Sequence, residues 1–190
     1  DKNVLITAGA QGIGEAITKH FIDNGANVAI HYFSSADTAN ELKSYAESKN
    51  VKAIVVSGDL TKEEDANALV KSTVEALGGL DILINNAGNA HGLDPIDQGS
   101  LDDWDAMLDI NVKGLLYMSK AILPQMVQRK SGHIINIGST AGKEVYPRGN
   151  VYCASKHAVD AINQGMRIDL NAYGIKVGAI NPGLVETEFS

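Results

Sequence analysis

The residues best suited to do chemistry lie in the second half of the chain. Tyr152 and Lys156 are four positions apart, and Ser139 lies upstream of both. In a helix, a four-residue spacing brings two side chains onto one face. A neighbouring ammonium favours a phenolate, so we expect Lys156 to lower the pKa of Tyr152 from about 10. Tyr152 is therefore a candidate general acid or base.

The composition is that of an ordinary globular protein. The 190 residues are 44% hydrophobic and 21% charged, which predicts a single domain over residues 1–190. A net charge of −7 without a dense Lys/Arg block argues against nucleic acid or an anionic membrane as a partner. With Cys153 as the only cysteine and no apolar run near 20 residues, we expect a soluble, cytoplasmic protein. The histidines show no metal-ligand spacing, so no metal site is predicted.

A glycine-rich turn separates the first predicted strand from the first predicted helix. The short apolar run at residues 4–6 is followed by Thr7–Gly14, and a helical pattern then continues to the Asn24–Gly25 pair. In such a unit, the backbone N–H groups and the helix N-terminus can bind a pyrophosphate. The predicted cofactor-binding residues of this turn are Thr7, Gly9, Gln11, Gly12, Ile13 and Gly14.

Strands and helices alternate along the rest of the chain. Strands are predicted at residues 27–32, 52–57, 81–85, 133–137 and 176–180, and helices at residues 36–49, 61–77, 100–127 and 150–173. This alternation predicts a Rossmann-type α/β fold, a doubly wound parallel sheet of strand order 3-2-1-4-5-6. Residues that follow strand ends should meet in one crevice, and these are Thr7, Asp59, Asn86, Ser139 and Pro182.

Several residues are predicted to start or interrupt helices. Ser34 or Ser35 should cap the second helix, and Thr61–Glu64 and Ser100–Asp103 are typical capping sequences. Pro124 is expected to kink or end its helix.

These motifs, in this order and spacing, resemble the short-chain dehydrogenase/reductase family over essentially the whole chain. The matching residues are Thr7–Gly14, Asp59, Asn85–Gly88, Asn111, Ser139, Tyr152, Lys156, Pro182, Gly183 and Thr187. One departure is Ala8, which occupies the first glycine position of the family's turn. We expect the turn to survive with a slightly shifted backbone.

The resemblance implies roles for these residues. Tyr152 would give a proton to a carbonyl being reduced, or take one from an alcohol being oxidised. Lys156 would lower the pKa of Tyr152 and hold the nicotinamide ribose, and Ser139 would bind the substrate oxygen. Asn111 would hold, by its backbone and its side chain, a water linking Lys156 to solvent. Tyr152 is implied as a cofactor contact as well. The remaining implied cofactor contacts are Asp59 at the adenine, Leu60, Asn86, Ala87 and Gly88 along the crevice, and Pro182, Gly183, Val185 and Thr187 at the nicotinamide.

The cofactor is predicted to be NADP, with NAD as the alternative. An NAD site needs a carboxylate about 20 residues after the glycines, but residues 31–36 contain none and Asp37 already belongs to the next helix. Ser34 and Ser35 instead offer hydroxyl and N–H groups to a 2′-phosphate.

The substrate side resembles two branches of the family. Residues 92–97, 138–147 and 185–190 look like NADP-dependent 3-hydroxy acid (serine-type) dehydrogenases, whereas His31–Ser35 looks like 3-oxoacyl-carrier-protein reductases. The predicted activity is the NAD(P)(H)-dependent interconversion of a secondary alcohol and a ketone. Arg148 is either a ligand for a substrate carboxylate or a solvated loop residue.

The resemblance also implies features beyond the site. Family members continue past the equivalent of Ser190, so we expect a fold truncated at its C-terminus. A dinucleotide-binding fragment or scaffold without turnover is therefore the competing interpretation. Family members usually form homodimers or homotetramers through helices equivalent to residues 100–129 and 150–173.

Overall fold

The computed structural model describes residues 1–187 and contains six parallel strands in one sheet. The strands are β1 (Asn3–Ile6), β2 (Asn27–Tyr32), β3 (Ala53–Ser57), β4 (Ile82–Asn85), β5 (Gly132–Ile137) and β6 (Ile175–Ile180). Their spatial order is β3-β2-β1-β4-β5-β6, and each neighbouring pair is parallel. The predicted doubly wound sheet is therefore confirmed, and the predicted strands differ from these bounds by at most one residue.

Helices cover both faces of the sheet. They are α1 (Gly12–Asp23), α2 (Ala36–Ser48), α3 (Glu63–Leu77), α4 (Leu101–Leu108), α5 (Leu115–Arg129) and α6 (Asn150–Leu170). Buried residues form one cluster between the sheet and α1 and α2, and a second cluster between the sheet and α3, α5 and α6. Strand β1 supplies Val4 and Ile6 to the first cluster and Leu5 to the second. This two-sided burial explains why the central strands read as continuous apolar runs.

The region after Ser100 differs from the single helix predicted for it. Ser100 caps α4 as expected, since its hydroxyl accepts from Asp103 N–H at 3.4 Å. A six-residue π-helical segment, Asp109–Gly114, then separates α4 from α5. Pro124 lies inside α5 without ending it, because the helix continues to Arg129. The prediction of a simple α-helix was wrong at the segment that contains Asn111.

Two predicted helix caps were wrong. Helix α3 begins after Lys62, and the Thr61 hydroxyl donates to Asp59 Oδ1 at 2.6 Å instead of accepting from the helix. Ser35 precedes α2 but makes no side-chain cap. Its hydroxyl donates to Gln11 Oε1 at 2.9 Å. In both cases the hydroxyl donates its hydrogen bond to a nearby acceptor outside the helix.

A row of buried amides connects the sheet to α6. Asn85 donates to Asn136 at 3.0 Å and to Ser119 at 3.1 Å, and Asn136 donates to Asn163 of α6 at 3.1 Å. Breaking one such bond leaves a buried polar group unpaired at a cost of about 1–3 kcal/mol. The row therefore fixes α6, which carries Tyr152 and Lys156, against the sheet. No helix in residues 1–187 has the length and apolarity to cross a membrane.

Candidate active site

A crevice of about 450 Å³ opens at the carboxyl ends of the first strands. Its volume lies in the range of small-molecule and cofactor pockets. The predicted residues that line it are Gln11, Ser34, Ser35, Asp59, Leu60, Ala87 and Gly88. Other lining residues, including His31, Phe33 and Asn89, were not predicted as site residues. His31 lies near the end of β2, Phe33 follows that strand directly, and Asn89 follows Gly88; these positions are the signals that could have identified them.

The glycine-rich turn brings the backbone of β1 close to α1. Ala8 has a φ of +47°, in the left-handed region that disfavours alanine by about 1 kcal/mol. A Cβ on Gly14 would lie 2.1 Å from the Ala8 carbonyl oxygen, so Gly14 is required for this close approach. The turn survives the substitution of Ala8 for glycine, as predicted, with alanine held in a glycine conformation.

Thr7 and Asn86 hold this turn against the end of β4. The Thr7 hydroxyl accepts from the N–H groups of Asn86 and Ala87, both at 2.9 Å. The Asn86 side-chain amide donates to Thr7 O at 3.1 Å and to Ala8 O at 3.2 Å. These two predicted cofactor residues therefore shape the crevice from behind instead of lining it.

Asp59 is held by its own loop. Its Oδ1 atom accepts from the N–H and hydroxyl of Thr61, and Lys62 Nζ lies 3.6 Å from Oδ2. The Thr61 hydrogen bond is the main cause that lowers the pKa of Asp59. The carboxylate is thus ionised and fixed at the crevice wall, where it can still accept from an adenine amino group.

The polar end of the crevice is formed by Gln11, Ser34 and Ser35. The Ser35 hydroxyl donates to Gln11 Oε1 at 2.9 Å, which joins the first turn of α1 to the start of α2. No lysine or arginine lies among the residues that line the described crevice, and this end carries no carboxylate.

Helix α6 brings Tyr152 and Lys156 together, as their spacing predicted. Lys156 Nζ lies 5.9 Å from the centre of the Tyr152 ring and donates to Ile137 O at 3.2 Å. Ser139 follows β5, and its hydroxyl hydrogen-bonds the Tyr152 phenol. These three side chains therefore meet at the carboxyl end of β5.

The pKa values of this cluster differ from the prediction. Burial raises the pKa of the Tyr152 phenol, and the hydrogen bond with Ser139 lowers it only in part. Burial also lowers the pKa of Lys156 to about 8, because its ammonium loses hydration. The prediction that Lys156 would bring the Tyr152 pKa down was therefore wrong for the protein alone.

Asn111 projects from the π-helical segment into the same region. Its Oδ1 accepts from Asn89 N–H at 2.8 Å, and its Nδ2 donates to Asn89 O at 2.9 Å and to Ser155 Oγ at 3.0 Å. A Cβ on Gly88 would lie 3.0 Å from Asn111 Oδ1 and 3.7 Å from Lys156 Nζ. The Asn111 side chain thus fixes the loop after β4 against α6, and the water that it is predicted to hold stays a prediction.

A smaller pocket of about 20 Å³ adjoins Tyr152. Its wall includes Arg148, His91, Asp94 and Asp103, with Trp104 packed beside them. Arg148 has a φ of +67°, a strained conformation of the kind that clusters at functional sites. The loop before α6 thus brings the guanidinium-bearing residue next to the candidate catalytic phenol.

The predicted nicotinamide turn follows β6. Thr187 approaches the glycine-rich turn, since its Cβ lies 3.6 Å from the position of a Cβ on Gly12. Pro182 O accepts from Thr140 N–H at 3.0 Å, whereas Gly183 and Val185 are exposed. The last residues of the predicted branch motif, Glu188, Phe189 and Ser190, lie outside the described residues.

The crevice fits a dinucleotide on its own geometry. Asn89 Oδ1 is buried in its wall and has no hydrogen-bond partner among residues 1–187, and Gly14 leaves room for a close backbone approach. Helix α1 begins at this turn and directs its N-terminal N–H groups toward it, as phosphate binding requires. Within residues 1–187, no group of three His, Cys, Asp or Glu side chains is placed to hold a metal.

Known proteins are similar in sequence to this chain over nearly all of its length. The chain is 41% identical over 187 residues to an uncharacterised oxidoreductase of Staphylococcus aureus (strain MRSA252), covering 98% of the chain and 79% of that relative. It is 39% identical over 188 residues to the NADP-dependent 3-hydroxy acid dehydrogenase YdfG of Salmonella typhi, covering 98% and 74%.

Solved structures agree in fold. Serine dehydrogenase complexed with NADP+ matches with a TM-score of 0.91 and 40% identity, over 98% of this chain and 74% of that one. A short chain dehydrogenase from Burkholderia cenocepacia in complex with NADP matches with a TM-score of 0.93 and 35% identity, over 99% and 76%. Residues 2–190 match the short chain dehydrogenase family, to which this chain belongs.

Proposed function

We propose that this chain is an NADP(H)-dependent oxidoreductase that interconverts a secondary alcohol and a ketone, with a 3-hydroxy acid as its class of substrate. The observation that carries the proposal is the meeting of Tyr152, Ser139 and Lys156 between a dinucleotide-sized crevice and a small pocket. An acid–base group placed beside a hydride donor is what this reaction requires.

Bound NADPH supplies the hydride for reduction, and NADP+ accepts one for oxidation. In the reducing direction, the Tyr152 phenol donates its proton to the substrate oxygen as the carbonyl becomes an alcohol. The Ser139 hydroxyl, already bonded to that phenol, binds the same oxygen. A raised phenol pKa keeps Tyr152 protonated, which suits proton donation, and the Lys156 ammonium stabilises the phenolate left behind.

The return of a proton to Tyr152 requires a route to solvent. The Ser155 hydroxyl donates to the main-chain carbonyl oxygen of Tyr152 at 2.7 Å and accepts from the Asn111 side-chain amide. That amide also donates to the main-chain oxygen of Asn89. This arrangement keeps Asn111 near Lys156 Nζ. A water held by the Asn111 main chain would complete the relay to Lys156.

The preference for NADP rests on the end of the crevice formed by Gln11, Ser34 and Ser35. These groups can donate to a 2′-phosphate, and no carboxylate there repels it. The Salmonella relative is NADP-dependent by name, and both structural neighbours described above are NADP complexes.

A 3-hydroxy acid would place its hydroxyl at Tyr152 and its carboxylate near Arg148. Both residues line the small pocket, and the Arg148 side chain forms no salt bridge or hydrogen bond with another described residue. Asp94 and Asp103 lie on the same wall, so a substrate carboxylate would have to bind close to the Arg148 guanidinium and away from these two side chains.

The test combines binding and turnover. Fluorescence titration should show tighter binding of NADPH than of NADH, and 3-hydroxy acids should be oxidised with release of NADPH. Tyr152→Phe should keep the binding and lose at least 100-fold in kcat, because only the acid–base group is removed. Binding with no turnover on any secondary alcohol or ketone would instead identify a dinucleotide-binding scaffold.

For assembly, we propose a homodimer or homotetramer formed through α4, α5 and α6. Leu101, Leu108 and Leu116 are exposed on the first two helices and Ile168 on the third. Light scattering should give a mass of two or four chains, and Leu116→Glu should lower it. The free, buried Cys153 fits the cytoplasm as the proposed location.

A further inference from the structure

His31 has no part in the proposed chemistry, yet its buried ring forms part of the wall of the cofactor crevice. Ala8 N–H donates to its Nδ1 at 2.9 Å, and its Nε2 lies 3.0 Å from Gly58 O. Because a backbone N–H can only donate, Nδ1 must be the unprotonated nitrogen. Nε2 then carries the proton and donates to Gly58. One neutral tautomer therefore satisfies both contacts.

His31 also binds the turn through its main chain. Gly9 N–H donates to His31 O at 2.8 Å, so this one residue accepts from two successive N–H groups of the glycine-rich turn. Its ring further connects that turn to the loop after β3. Two of the loops that form the crevice are thus held at a single side chain.

The conformation held in this way is one that alanine disfavours. Ala8 has a φ of +47°, and its carbonyl oxygen lies 2.1 Å from the position of a Cβ on Gly14. If Ala8 relaxed to a negative φ, this carbonyl would move relative to the first turn of α1. That turn supplies the N–H groups for the phosphates.

We propose that His31 is a positioning residue of the dinucleotide site, whose Nδ1 acceptor holds Ala8 in the left-handed conformation required for phosphate binding. The proposal rests on dinucleotide binding by this chain and is independent of its substrate. A histidine that only filled space would affect stability, and its two hydrogen bonds would not differ in their effect on the cofactor.

Two substitutions separate the two hydrogen bonds. His31→Asn places an amide oxygen near the Nδ1 position and keeps an acceptor for Ala8. His31→Gln extends its amide to the Nε2 position and keeps a donor for Gly58. Fluorescence titration should give an NADPH dissociation constant within about threefold of the original for His31→Asn, and at least tenfold weaker for His31→Gln. In steady state, His31→Gln should raise KM for NADPH and leave kcat unchanged.

A third substitution, at Ala8, tests the proposed cause. Ala8→Gly should restore most of the NADPH affinity in the His31→Gln background, because glycine adopts a positive φ without help. Equal losses in His31→Asn and His31→Gln, or a loss that Ala8→Gly does not restore, would overturn the proposal. Retained NADPH binding with no alcohol oxidation would contradict the proposed function alone.

A measurement on the unsubstituted protein tests the proposal even if the variants fail to fold. The ¹⁵N spectrum of the His31 ring at pH 7 should show a protonated Nε2 and an unprotonated Nδ1. The opposite tautomer, or a doubly protonated ring, would overturn the proposal without any substitution.

Discussion

Replacing Lys156 by methionine should stabilise the folded protein at neutral pH while it abolishes turnover. The Lys156 side chain is 7% exposed, and its ammonium donates to Ile137 O at 3.2 Å. Burial lowers its pKa from 10.5 to about 8. Such a difference between the folded and unfolded chains corresponds to about 3 kcal/mol of unfolding free energy at pH 7. Loss of the hydrogen bond to Ile137 offsets about 1–2 kcal/mol of this, so we expect a net gain of about 1–2 kcal/mol.

The stability difference between Lys156→Met and the unsubstituted protein should depend on pH. Below pH 8, the folded protein holds a buried ammonium, whereas the unfolded chain holds a hydrated one. Between pH 8 and 10.5 the folded protein loses this proton before the unfolded chain does, so the stability of the unsubstituted protein rises relative to that of the variant. The advantage of Lys156→Met should therefore disappear towards pH 10, where the neutral lysine still keeps its hydrogen bond.

Urea unfolding at pH 7, 8, 9 and 10, followed by the fluorescence of Trp104, measures this difference. Lys113→Met is the matched control, because Lys113 is exposed and pairs with Asp109 at 2.6 Å. It should leave the stability unchanged or lower it slightly, without a comparable gain at pH 7. A Lys156→Met variant that is less stable by the same amount at pH 7 and pH 10 would refute the desolvation argument.

Three further predictions concern the crevice. Gly14→Ala should weaken NADPH binding at least tenfold in a fluorescence titration, because its Cβ would lie 2.1 Å from the Ala8 carbonyl oxygen. Gly165→Ala is the control, because its Cβ would meet nothing within 4 Å. It should leave NADPH binding intact and raise the free energy of unfolding in urea by up to about 1 kcal/mol. Ser35→Asp should weaken NADPH binding about tenfold or more and affect NADH binding far less, since NADH lacks the 2′-phosphate that the new carboxylate would face. Equal losses in the two titrations would contradict the proposed phosphate site. Burial lowers the pKa of His31 below 6.5. The unfolded chain therefore takes up the proton first as the pH drops below 6.5, and the stability of the folded protein should fall. Urea unfolding at pH 7 and pH 5.5 should show this fall, and His31→Asn should reduce it.

The fold was predictable because its signals are local and repeated. Continuous apolar strands between amphipathic helices leave few topologies, and the right-handed crossover selects among them. The π-helical segment was not predictable in this way, since its residues read as helix. Asn111 gave a hint there, as a poor helix former in mid-helix. The structure shows that its side chain forms hydrogen bonds with the Asn89 main chain and the Ser155 hydroxyl.

The site was predictable in position and less so in detail. Residues that follow parallel strands lie at one edge of the sheet, and of the predicted ones Asp59 lines the crevice while Ser139 lies beside Tyr152. Which atoms face the crevice depends on long-range hydrogen bonds that sequence spacing does not contain. Thr7 turns its hydroxyl towards Asn86 and Ala87, and Thr61 turns its own towards Asp59.

The pKa values of Tyr152 and Lys156 show the limit of spacing arguments most directly. A four-residue spacing predicts proximity, and the two side chains are indeed close. It says nothing about the loss of hydration on burial, which here raises the pKa of the phenol and lowers that of the ammonium. In the protein alone, burial therefore favours the neutral form of both groups. A proton donor for carbonyl reduction needs the neutral phenol, whereas alcohol oxidation needs the phenolate. The free protein is thus better prepared for reduction, and oxidation should require a higher pH.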